Sequence, residues 1–521
     1  MVLDFITFRD KVMGCWAGKN IGGVLGAPFE GKRQVNNAEF YTQDLSKGPP
    51  PNDDLDLQIV WLTAVERFGR QVNASILGEY WLSYVIPYWV EYGTGKANLR
   101  AGLQPPLSGL IDNVYKDSCG CFIRSEIWAC LAPGQPQLAA RYAFEDAIVD
   151  HEGEGMYGEV FFAAIQSAAF AVCDPFKLID IGLSYIPPAS ATARCIQKAV
   201  ECYKGKVDIL EARKRIHNEA PGTFGIQFCK LCEIKKEGNE GLELGAAGYD
   251  APENVGFTVA GLLYGEGDFG KSICIANSFG EDTDCTCATL GALLGIICGA
   301  SKIPEKWTKP LDDKIATMCI NKVANLWIPK TVTELADRVI QAVPGFLGHG
   351  FCNILAPGGM TVICQEEKDM YCRSDSDDYL PMMNAGVRSQ LSVKELTALS
   401  PYVVRSNFPA FSVMVDYMGS VFFNAFEDRK IKVTVINHLS MMQQQWAKIS
   451  LYTPDGICAP GGKNILKPLN NLNGSKAEAE FTFNASGFQG AKLELIIDVA
   501  LEGRHSTGQV KVVLMRTDDS Q

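Results

Sequence analysis

The hydrophobic pattern of this chain changes period near residue 345, and this change limits the fold to two unlike parts. Before that point, apolar residues recur at helical spacing, as in "LDLQIVWLTAVERF". Beyond about residue 400, strand-like runs alternate with turn signals, as in "KIKVTVINHL" and "AEAEFTFNASG". We therefore predict an all-α domain over residues 1–345, a connecting region over 346–400 and an antiparallel β-sandwich over 401–521.

Two helical stretches of the first part are apolar nearly all round, which predicts that they are buried. They read "GEVFFAAIQSAAFAV" and "CTCATLGALLGIICGA". In the second, Gly291, Gly295 and Gly299 recur at every fourth residue. Each glycine costs about 1 kcal/mol of helix propensity, so we expect a neighbouring helix to approach closely there.

Composition and charge exclude several classes of protein. A formal net charge of -12 argues against nucleic-acid binding, which needs a basic face. The start "MVLDFITFRDKVMGCWAGKN" lacks the pattern of a signal peptide, and the apolar run 285–300 is too short to span a bilayer. We therefore expect a cytoplasmic protein that does not act at a membrane.

The 18 cysteines are scattered, and many lie in apolar helical context. We interpret most of them as buried reduced thiols. The spacing "CKLC" at Cys229–Cys232 is typical of zinc ligands, but no second ligand pair accompanies it.

Two short acidic stretches each precede an apolar helix, in "NDDLDLQ" and "FGEDTDC". Their polar residues are Asn52, Asp53, Asp54 and Asp56 in the first stretch, and Glu281, Asp282 and Asp284 in the second. Helix capping explains one or two acids per helix start. Like charges this dense repel one another unless solvent or a cation offsets them, so spacing alone leaves both a shared metal site and solvated caps open.

If the two stretches meet, their carboxylate and amide oxygens form a hard-oxygen site. Such a site suits Mg²⁺ or Mn²⁺ rather than zinc. Two ions bridged by one aspartate would explain the number of acids. Such a centre can orient a substrate hydroxyl or activate a water molecule.

Four motifs occur in an order and spacing that resemble the ADP-ribosylglycohydrolase family, of the dinitrogenase-reductase-activating glycohydrolase type. They are "GCWAGKNIGGVLGAPFEG", "NDDLDLQ", "DHEGEGMYGEVFFAAIQSAAF" and "NSFGEDTDCTCATLGALLGIICGASKIPEKW", within about residues 8–310. The resemblance implies an all-α domain that binds two Mg²⁺ or Mn²⁺ ions between two acidic loops. It also implies cleavage at the anomeric carbon of a ribose, typically of ADP-ribose on a protein or a small acceptor.

The resemblance also implies roles for individual residues. The metal ligands would be Asn52, Asp53, Asp54, Asp282, Asp284 and Cys285. Glu30 would close over the site and act as a general acid or base together with the ligands Asp54 and Asp282. The alternatives are an ordinary surface carboxylate for Glu30 and, for Asp56, either an extra ligand or a first-turn acid.

The substrate side of the resemblance rests on three residues. His151 matches a histidine that lines the ribose pocket, and the alternative is a structural histidine. Gly120 and Arg124 match the substrate loop within "DSCGCFIRSE", where a structural ion pair is the alternative for Arg124. This loop is bulkier than the family pattern and less suited to wrap a diphosphate.

Two departures from the family pattern concern the metal site. Asn52 replaces a threonine but still offers a carbonyl oxygen, whereas Cys285 replaces a threonine or serine with a thiol. A thiol is a poor Mg²⁺ ligand. Thr286, a water molecule or Mn²⁺ would have to compensate, or one ion binds weakly.

The sequence therefore favours a metal-dependent hydrolase of an N- or O-glycosidic bond in an ADP-ribosyl or related ribosyl or glycosyl substrate, carried by a small molecule or a protein. One alternative is a non-catalytic ADP-ribose- or sugar-binding protein with a degenerate metal site. Another is a structural metal site in an interaction protein. The sequence leaves open whether the C-terminal domain covers the active site, recognises a carbohydrate or forms a homo-oligomer.

Overall fold

The computed structural model describes residues 1–220, 248–372, 391–438, 444–472 and 474–517, so the Cys229–Cys232 pair lies outside it. Within these ranges, no helix is both long and apolar enough to cross a bilayer. The helices are α1 (Phe5–Gly26), α2 (Asp53–Phe68), α3 (Ala74–Tyr84), α4 (Val90–Ala101), α5 (Leu107–Leu110), α6 (Ser125–Leu131), α7 (Pro136–Ala147), α8 (Glu154–Ala168), α9 (Pro175–Leu183), α10 (Ala191–Lys204), α11 (Ile209–Glu219), α12 (Ala251–Tyr264), α13 (Phe269–Ser278), α14 (Thr283–Cys298), α15 (Glu305–Thr308), α16 (Val332–Leu347) and α17 (Val393–Leu396).

The strands of the described residues form three sheets, with orders β1-β3-β2, β10-β7-β5-β4 and β6-β12-β11-β8-β9. They are β1 (Val2–Leu3), β2 (Cys352–Asn353), β3 (Thr361–Ile363), β4 (Val403–Asn407), β5 (Phe411–Asp416), β6 (Phe422–Phe423), β7 (Asp428–Asn437), β8 (Gln445–Tyr452), β9 (Asn464–Leu469), β10 (Lys476–Asn484), β11 (Lys492–Leu501) and β12 (Thr507–Arg516). Neighbouring strands are antiparallel, except that β6 runs parallel to β12. The prediction of a helical part followed by a β part is confirmed.

A short sheet joins the start of the chain to the segment beyond residue 345. Val2 lies opposite Ile363, and Cys352 lies opposite Val362. Cys352 and Val362 are buried in the same hydrophobic core as the helices. The N-terminal part is therefore helical with one small sheet, whose two- and three-residue strands are too short to show a period-two pattern.

The two larger sheets share one hydrophobic core. Their buried side chains form a single cluster, which also contains Leu103 and Leu107 from the helical part. An ion pair between Arg405 and Glu145 adds a polar contact between the two parts. The β part is thus attached to the segment around α4 and α5.

Glycines on α1 and α14 let these helices touch backbone to backbone. A Cβ built at Gly18 would lie 2.0 Å from the carbonyl oxygen of Gly291, and one at Gly14 would lie 2.2 Å from that of Gly295. The close approach expected at Gly291 and Gly295 is present. Gly299 serves a different purpose, since it ends α14 with φ +82°.

Candidate metal centre and pocket

The contact between α1 and α14 continues to the ends of both helices and brings the acidic loops together. A Cβ at Gly26 would lie 2.2 Å from the carbonyl oxygen of Thr283, whose hydroxyl donates to the Gly26 carbonyl at 2.8 Å. Next to this contact, Asn52 at the start of α2 donates through Nδ2 to Asp284 Oδ2 on α14 at 3.2 Å. The start of α2, the start of α14 and the end of α1 therefore meet at one place.

The meeting point forms part of the wall of a pocket of about 400 Å³. The acids that line it are Glu30, Asp53, Glu91, Asp282 and Asp284. Much of the remaining wall is aromatic or apolar and includes Trp89, Tyr92, Tyr115, Tyr249 and Met318. Among the described residues, no lysine or arginine lines the pocket.

In the first loop, Asn52 caps α2, and of the two acids that follow it, Asp53 lines the pocket while Asp54 is buried beside Lys19. Asn52 Oδ1 accepts from the Asp54 N–H at 2.7 Å, so this carbonyl oxygen is already used in the cap. Asp53 Oδ2 accepts from the Tyr92 hydroxyl at 3.1 Å. Burial, followed by the charge of Asp284, raises the pKa of Asp53 to about 6.

Asp56, one turn further along α2, has a structural role. It is fully buried, and its Oδ2 accepts from the backbone N–H groups of Met318 and Cys319. These bonds fix a segment that lines the pocket at Met318. The alternative of a first-turn acid describes Asp56 better than that of a ligand.

In the second loop, Glu281 separates from its neighbours. Its φ of 64° turns it away, and its carboxylate bonds Arg33 Nε at 2.6 Å inside the protein. Asp282 and Asp284 stay on the pocket side, and Asp282 N–H donates to Asn254 Oδ1 at 3.1 Å. Of the three acids, one is used to build the loop and two face the pocket.

Glu30 lies at the pocket mouth just beyond the end of α1 and is exposed. One of its carboxylate oxygens lies within 4.8 Å of oxygens of Asp282 and Asp284. The negative charge of Asp284, followed by the loss of water around the carboxyl group itself and the charge of Asp53, raises the pKa of Glu30 to about 9, although the residue as a whole is exposed. Glu30 is therefore the exposed member of the acidic cluster.

A fixed cation lies behind the acids. Lys19 Nζ is 3.6 Å from Asp54 Oδ2 and 3.3 Å from Glu126 Oε1, and all three side chains are buried. Burial disfavours the ammonium, but Asp54 and Glu126 outweigh this effect and raise the pKa of Lys19. One ammonium shared between these two carboxylates leaves the acids on the pocket side without a countercharge.

Among the described residues, Asp282 Oδ1 and Asp284 Oδ1 are buried and have no hydrogen-bond partner, and Asp54 Oδ2 has only the ion pair with Lys19 at 3.6 Å. Asp284 belongs to two groups of oxygens that each lie within 4.8 Å of one another, with Asp53 and Asp54 in one and with Glu30 and Asp282 in the other. Unpaired buried carboxylates are costly. The oxygen donors therefore fit one or two hard divalent cations.

Thiols occupy one side of this cluster. Cys285 Sγ lies 3.7 Å from Asp54 Oδ1, and Cys119 Sγ donates to Asp282 Oδ2 at 2.7 Å. Burial raises the pKa of both thiols, so without a cation they stay protonated. These two residues do not fit Mg²⁺, which prefers oxygen ligands.

The comparison with known proteins identifies the family. The ADP-ribosylglycohydrolase family model matches residues 5–345. The chain belongs to the ADP-ribosylglycohydrolase family. A solved structure described as an "ADP-ribosylglycohydrolase-related protein complex" is 18% identical with a TM-score of 0.39, covering 65% of this chain and 100% of that chain. A search of curated proteins finds no match.

Membership in the ADP-ribosylglycohydrolase family supports glycosidic hydrolysis as the activity and ADP-ribosylated compounds as the general substrate class. The matched residues include both acidic loops and Glu30 and end before the β part begins. The family match therefore covers the helical part, where the pocket lies.

The residues expected to bind substrate in an ADP-ribosylglycohydrolase lie at different depths. Gly120 lines the pocket, and a Cβ there would lie 2.0 Å from Glu91 Oε1. His151 is fully buried, with Nε2 2.9 Å from Ser118 Oγ and Nδ1 2.9 Å from Asp150. It reaches the pocket through Ser118, which lines the wall.

Arg124 is also fully buried, behind the same loop. It forms ion pairs with Asp146 at 3.0 Å and Asp150 at 2.8 Å. Its Nη1 donates to the carbonyl oxygen of Gly120 at 3.0 Å. Arg124 therefore holds the pocket loop from behind.

The sequence analysis did not identify several residues of the site. Lys19 and Tyr92 contact the acids, Cys119 contacts Asp282, and Trp89 lines the wall. For Lys19 the sequence did contain a signal, because a lysine inside the glycine-rich apolar helix α1 needs a buried partner of opposite charge. The other three residues carry no local signal, because only the tertiary fold brings them to the acids.

Proposed function

We propose that this chain is a metal-dependent hydrolase that cleaves the N- or O-glycosidic bond of an ADP-ribosyl or related ribosyl or glycosyl substrate. One observation carries the proposal: within the described part of the chain, Asp282 and Asp284 each keep a buried oxygen without a hydrogen-bond partner, and these acids lie beside Asp53 and Asp54 at a pocket of about 400 Å³. Hard oxygen donors of this kind favour Mg²⁺ or Mn²⁺. Because Asp284 belongs to both oxygen groups, two ions could share it.

In this proposal Asp53, Asp54, Asp282 and Asp284 hold the ions, while Asn52 fixes the distance between the two loops through its bond to Asp284. The chemistry that such ions supply is the orientation of sugar hydroxyls and of the attacking water. The protein contributes a rigid frame, since the backbone contact of α1 with α14 fixes both loops.

Glu30 is the residue placed to transfer a proton, because it is the exposed carboxyl at the pocket mouth and lies within 4.8 Å of the acid cluster. Glycoside hydrolysis proceeds through a transition state with oxocarbenium character. Glu91, an acid of the pocket wall outside the proposed ligand set, adds to the negative field that favours such a cation. We assign catalytic roles to Glu30, Asp54 and Asp282.

The pocket wall favours a particular kind of substrate within this class. A diphosphate needs cationic or N–H donors, and no lysine or arginine among the described residues lines the pocket. Trp89 and Tyr249 offer aromatic faces instead. We propose a ribosyl or glycosyl conjugate that carries no diphosphate as the preferred substrate, with Gly120 beside the sugar and with His151 and Arg124 positioning the loop of Gly120.

For the rest of the chain, we propose a catalytic domain over residues 1–345, a connecting region over 346–400 and a β-sandwich over 401–521. The shared hydrophobic cluster of the two larger sheets supports the sandwich. No described residue after Met318 lines the pocket, which argues against the β-sandwich as a cover over the active site. The net charge of -12 argues against a nucleic-acid partner, and we also propose a cytoplasmic protein that does not act at a membrane.

Metal stoichiometry tests this proposal. Elemental analysis after dialysis against Mg²⁺ and Mn²⁺ would be run on the wild type and on Asp284→Ala, with ADP-ribosyl-arginine and simple ribosides assayed in parallel. We expect bound metal and turnover in the wild type and neither in the variant. Metal and sugar binding without turnover would instead identify a binding protein, and absence of specific metal would overturn the metal mechanism.

A further inference from the structure

A group of soft donors lies directly beside the oxygen cluster. Ligand atoms of Cys119, Asp282 and Cys285 all lie within 4.8 Å of one another. The three residues are 1%, 3% and 8% exposed. Asp282 Oδ1 has no hydrogen-bond partner, so this group contains an unsatisfied buried oxygen. The thiols have acceptors in Asp282 Oδ2 and Asp54 Oδ1, but within the described residues these bonds leave the second oxygen of Asp282 buried without a partner.

Separate parts of the fold hold these three residues in place. The backbone N–H of Cys119 donates to the Tyr249 carbonyl at 2.9 Å. Asp282 is fixed by the bond of its N–H to Asn254. Cys285 lies in the first turn of α14, whose position is set by the contact with α1. The donors are therefore brought together before any ligand binds, which lowers the entropy cost of binding.

We propose that Cys119, Asp282 and Cys285 form a thiolate–carboxylate subsite that binds Zn²⁺ in preference to Mg²⁺, next to the oxygen subsite at Asp53, Asp54 and Asp284. The inference rests on the proposed function, because it assigns the ion of one half of that site. Two sulfur ligands and one oxygen ligand, with a fourth position open to the pocket, match the coordination of zinc in catalytic sites.

Binding at this subsite involves no change of oxidation state. Each thiol that becomes a ligand releases its proton to solvent, and the Zn–S bond takes the place of the S–H bond. The hydrogen bond from Cys119 to Asp282 is lost in the same step, and Asp282 becomes free to coordinate. Mg²⁺ gains little from sulfur, so the same three residues discriminate against it.

The subsite can be tested with Co²⁺ as a spectroscopic substitute for zinc. The full-length protein would be stripped of metal and titrated with Co²⁺, and the thiolate-to-cobalt charge-transfer absorption would be recorded in the near ultraviolet. The same protein would then be titrated with Zn²⁺ in the presence of excess Mg²⁺. The variants are Cys285→Thr and Cys119→Ser, and the control is Cys287→Ser, a buried thiol on α14 that contacts Ile273 instead.

We expect the wild type and Cys287→Ser to show the thiolate band and to retain one Zn²⁺ against Mg²⁺. In Cys285→Thr and in Cys119→Ser, the charge-transfer absorption from the removed sulfur should disappear. The Zn²⁺ affinity of each variant should fall at least about 100-fold. Circular dichroism and the melting temperature would show that each variant is folded.

The possible failures are distinguishable. A wild-type cobalt spectrum with oxygen ligands only would overturn the thiolate subsite and leave the hydrolase proposal intact. Loss of the band in only one of the two cysteine variants would overturn the three-residue ligand set. Absence of any bound metal in the wild type would overturn both proposals together.

Discussion

The starts of α2 and α14 carry similar polar residues but use them differently. Asn52 caps α2 through a side-chain bond to the Asp54 N–H. At α14 the N-cap is Asp282, whose side chain makes no capping bond and instead accepts from the Cys119 thiol. Asn52 also reaches across to Asp284. The first helix start is thus stabilised locally, whereas the second depends on its packing against α1.

The difference shows how a dense acidic stretch can be divided between structure and function. Asp56 holds the segment at Met318, and Glu281 pairs with Arg33. Asp282 and Asp284 keep unpartnered oxygens on the pocket side. In each stretch, one acid bonds a partner away from the pocket, and the acids beside it belong to the oxygen cluster.

Asp284→Asn should have the largest effect, because it removes the carboxylate that both oxygen groups share. We expect turnover to fall at least about 1,000-fold, or about 4 kcal/mol in activation free energy. The metal-free protein should not become less stable, because the substitution relieves repulsion between like charges. Steady-state kinetics and the melting temperature check both parts. Asp312→Asn, an exposed acid paired with Lys314, is the control, and near-normal turnover in Asp284→Asn would contradict the site.

The structural half of the second stretch can be tested with Arg33→Met. Arg33 is buried and bonds both Glu281 at 2.6 Å and Glu253 at 3.1 Å. Removing it takes the arginine partner from buried Glu281 and leaves Glu253 with its bond to His217, so the free energy of unfolding should fall by about 3 kcal/mol or more. Denaturant unfolding measures this. Arg215→Met, at an exposed pair with Glu211, should change it by less than about 0.5 kcal/mol, and equal effects of the two variants would contradict the buried role.

The dependence of α14 on packing can be tested with Gly291→Ala. The new methyl group would lie 2.3 Å from the Gly18 carbonyl oxygen, so the helices must separate, at a cost of about 2 kcal/mol in the free energy of unfolding. Metal retention should also weaken, because α14 carries Asp284. Gly345→Ala on α16 meets nothing within 4 Å and should raise stability by up to about 1 kcal/mol. If Gly291→Ala instead had a higher free energy of unfolding than the wild type, α1 and α14 would not be in close contact at this position.

The smallest effect that we expect distinguishes the two bonds of Asn52, one that caps α2 and one that reaches Asp284. Asn52→Ala and Asn73→Ala each remove an asparagine cap, of α2 and α3 respectively. Each should lower the free energy of unfolding by about 1 kcal/mol. Asn52→Ala alone should also weaken metal affinity, by about 10-fold, because it releases Asp284. Metal titration of the two variants makes the comparison, and identical affinities would mean that the Asn52–Asp284 bond does not matter.

Sequence patterns predicted those elements whose signal is local. The helical spacing of α2, the apolar runs of α8 and α14 and the alternation of β7 and β10 are each a property of a single element. β9 gave no such signal, because "NILKPL" is an edge strand that is largely exposed and contains Pro468. Edge strands with one neighbour need less of a hydrophobic face, so their pattern is weak.

For the candidate site, the acids were visible in the sequence, but their separate tasks were not. Glu281 and Asp282 are adjacent and chemically alike, and only the positive φ of Glu281 sends it towards Arg33. Cys119 reaches Asp282 because its backbone pairs with Tyr249, a contact between distant parts of the chain. Such divisions depend on tertiary geometry and leave no trace in spacing.

The glycine contact of α1 with α14 also restricts how this protein can change over generations. A side chain gained at Gly18 or Gly14 would meet a backbone oxygen of α14, and no substitution in the opposite helix removes a backbone oxygen. A damaging change there has no compensating partner, so reversion is the only simple remedy. Proteins that keep this interface can still change residues of the pocket wall, such as Trp89 or Cys119, and so bind new ligands. The distance between the two acidic loops stays the same in all of them.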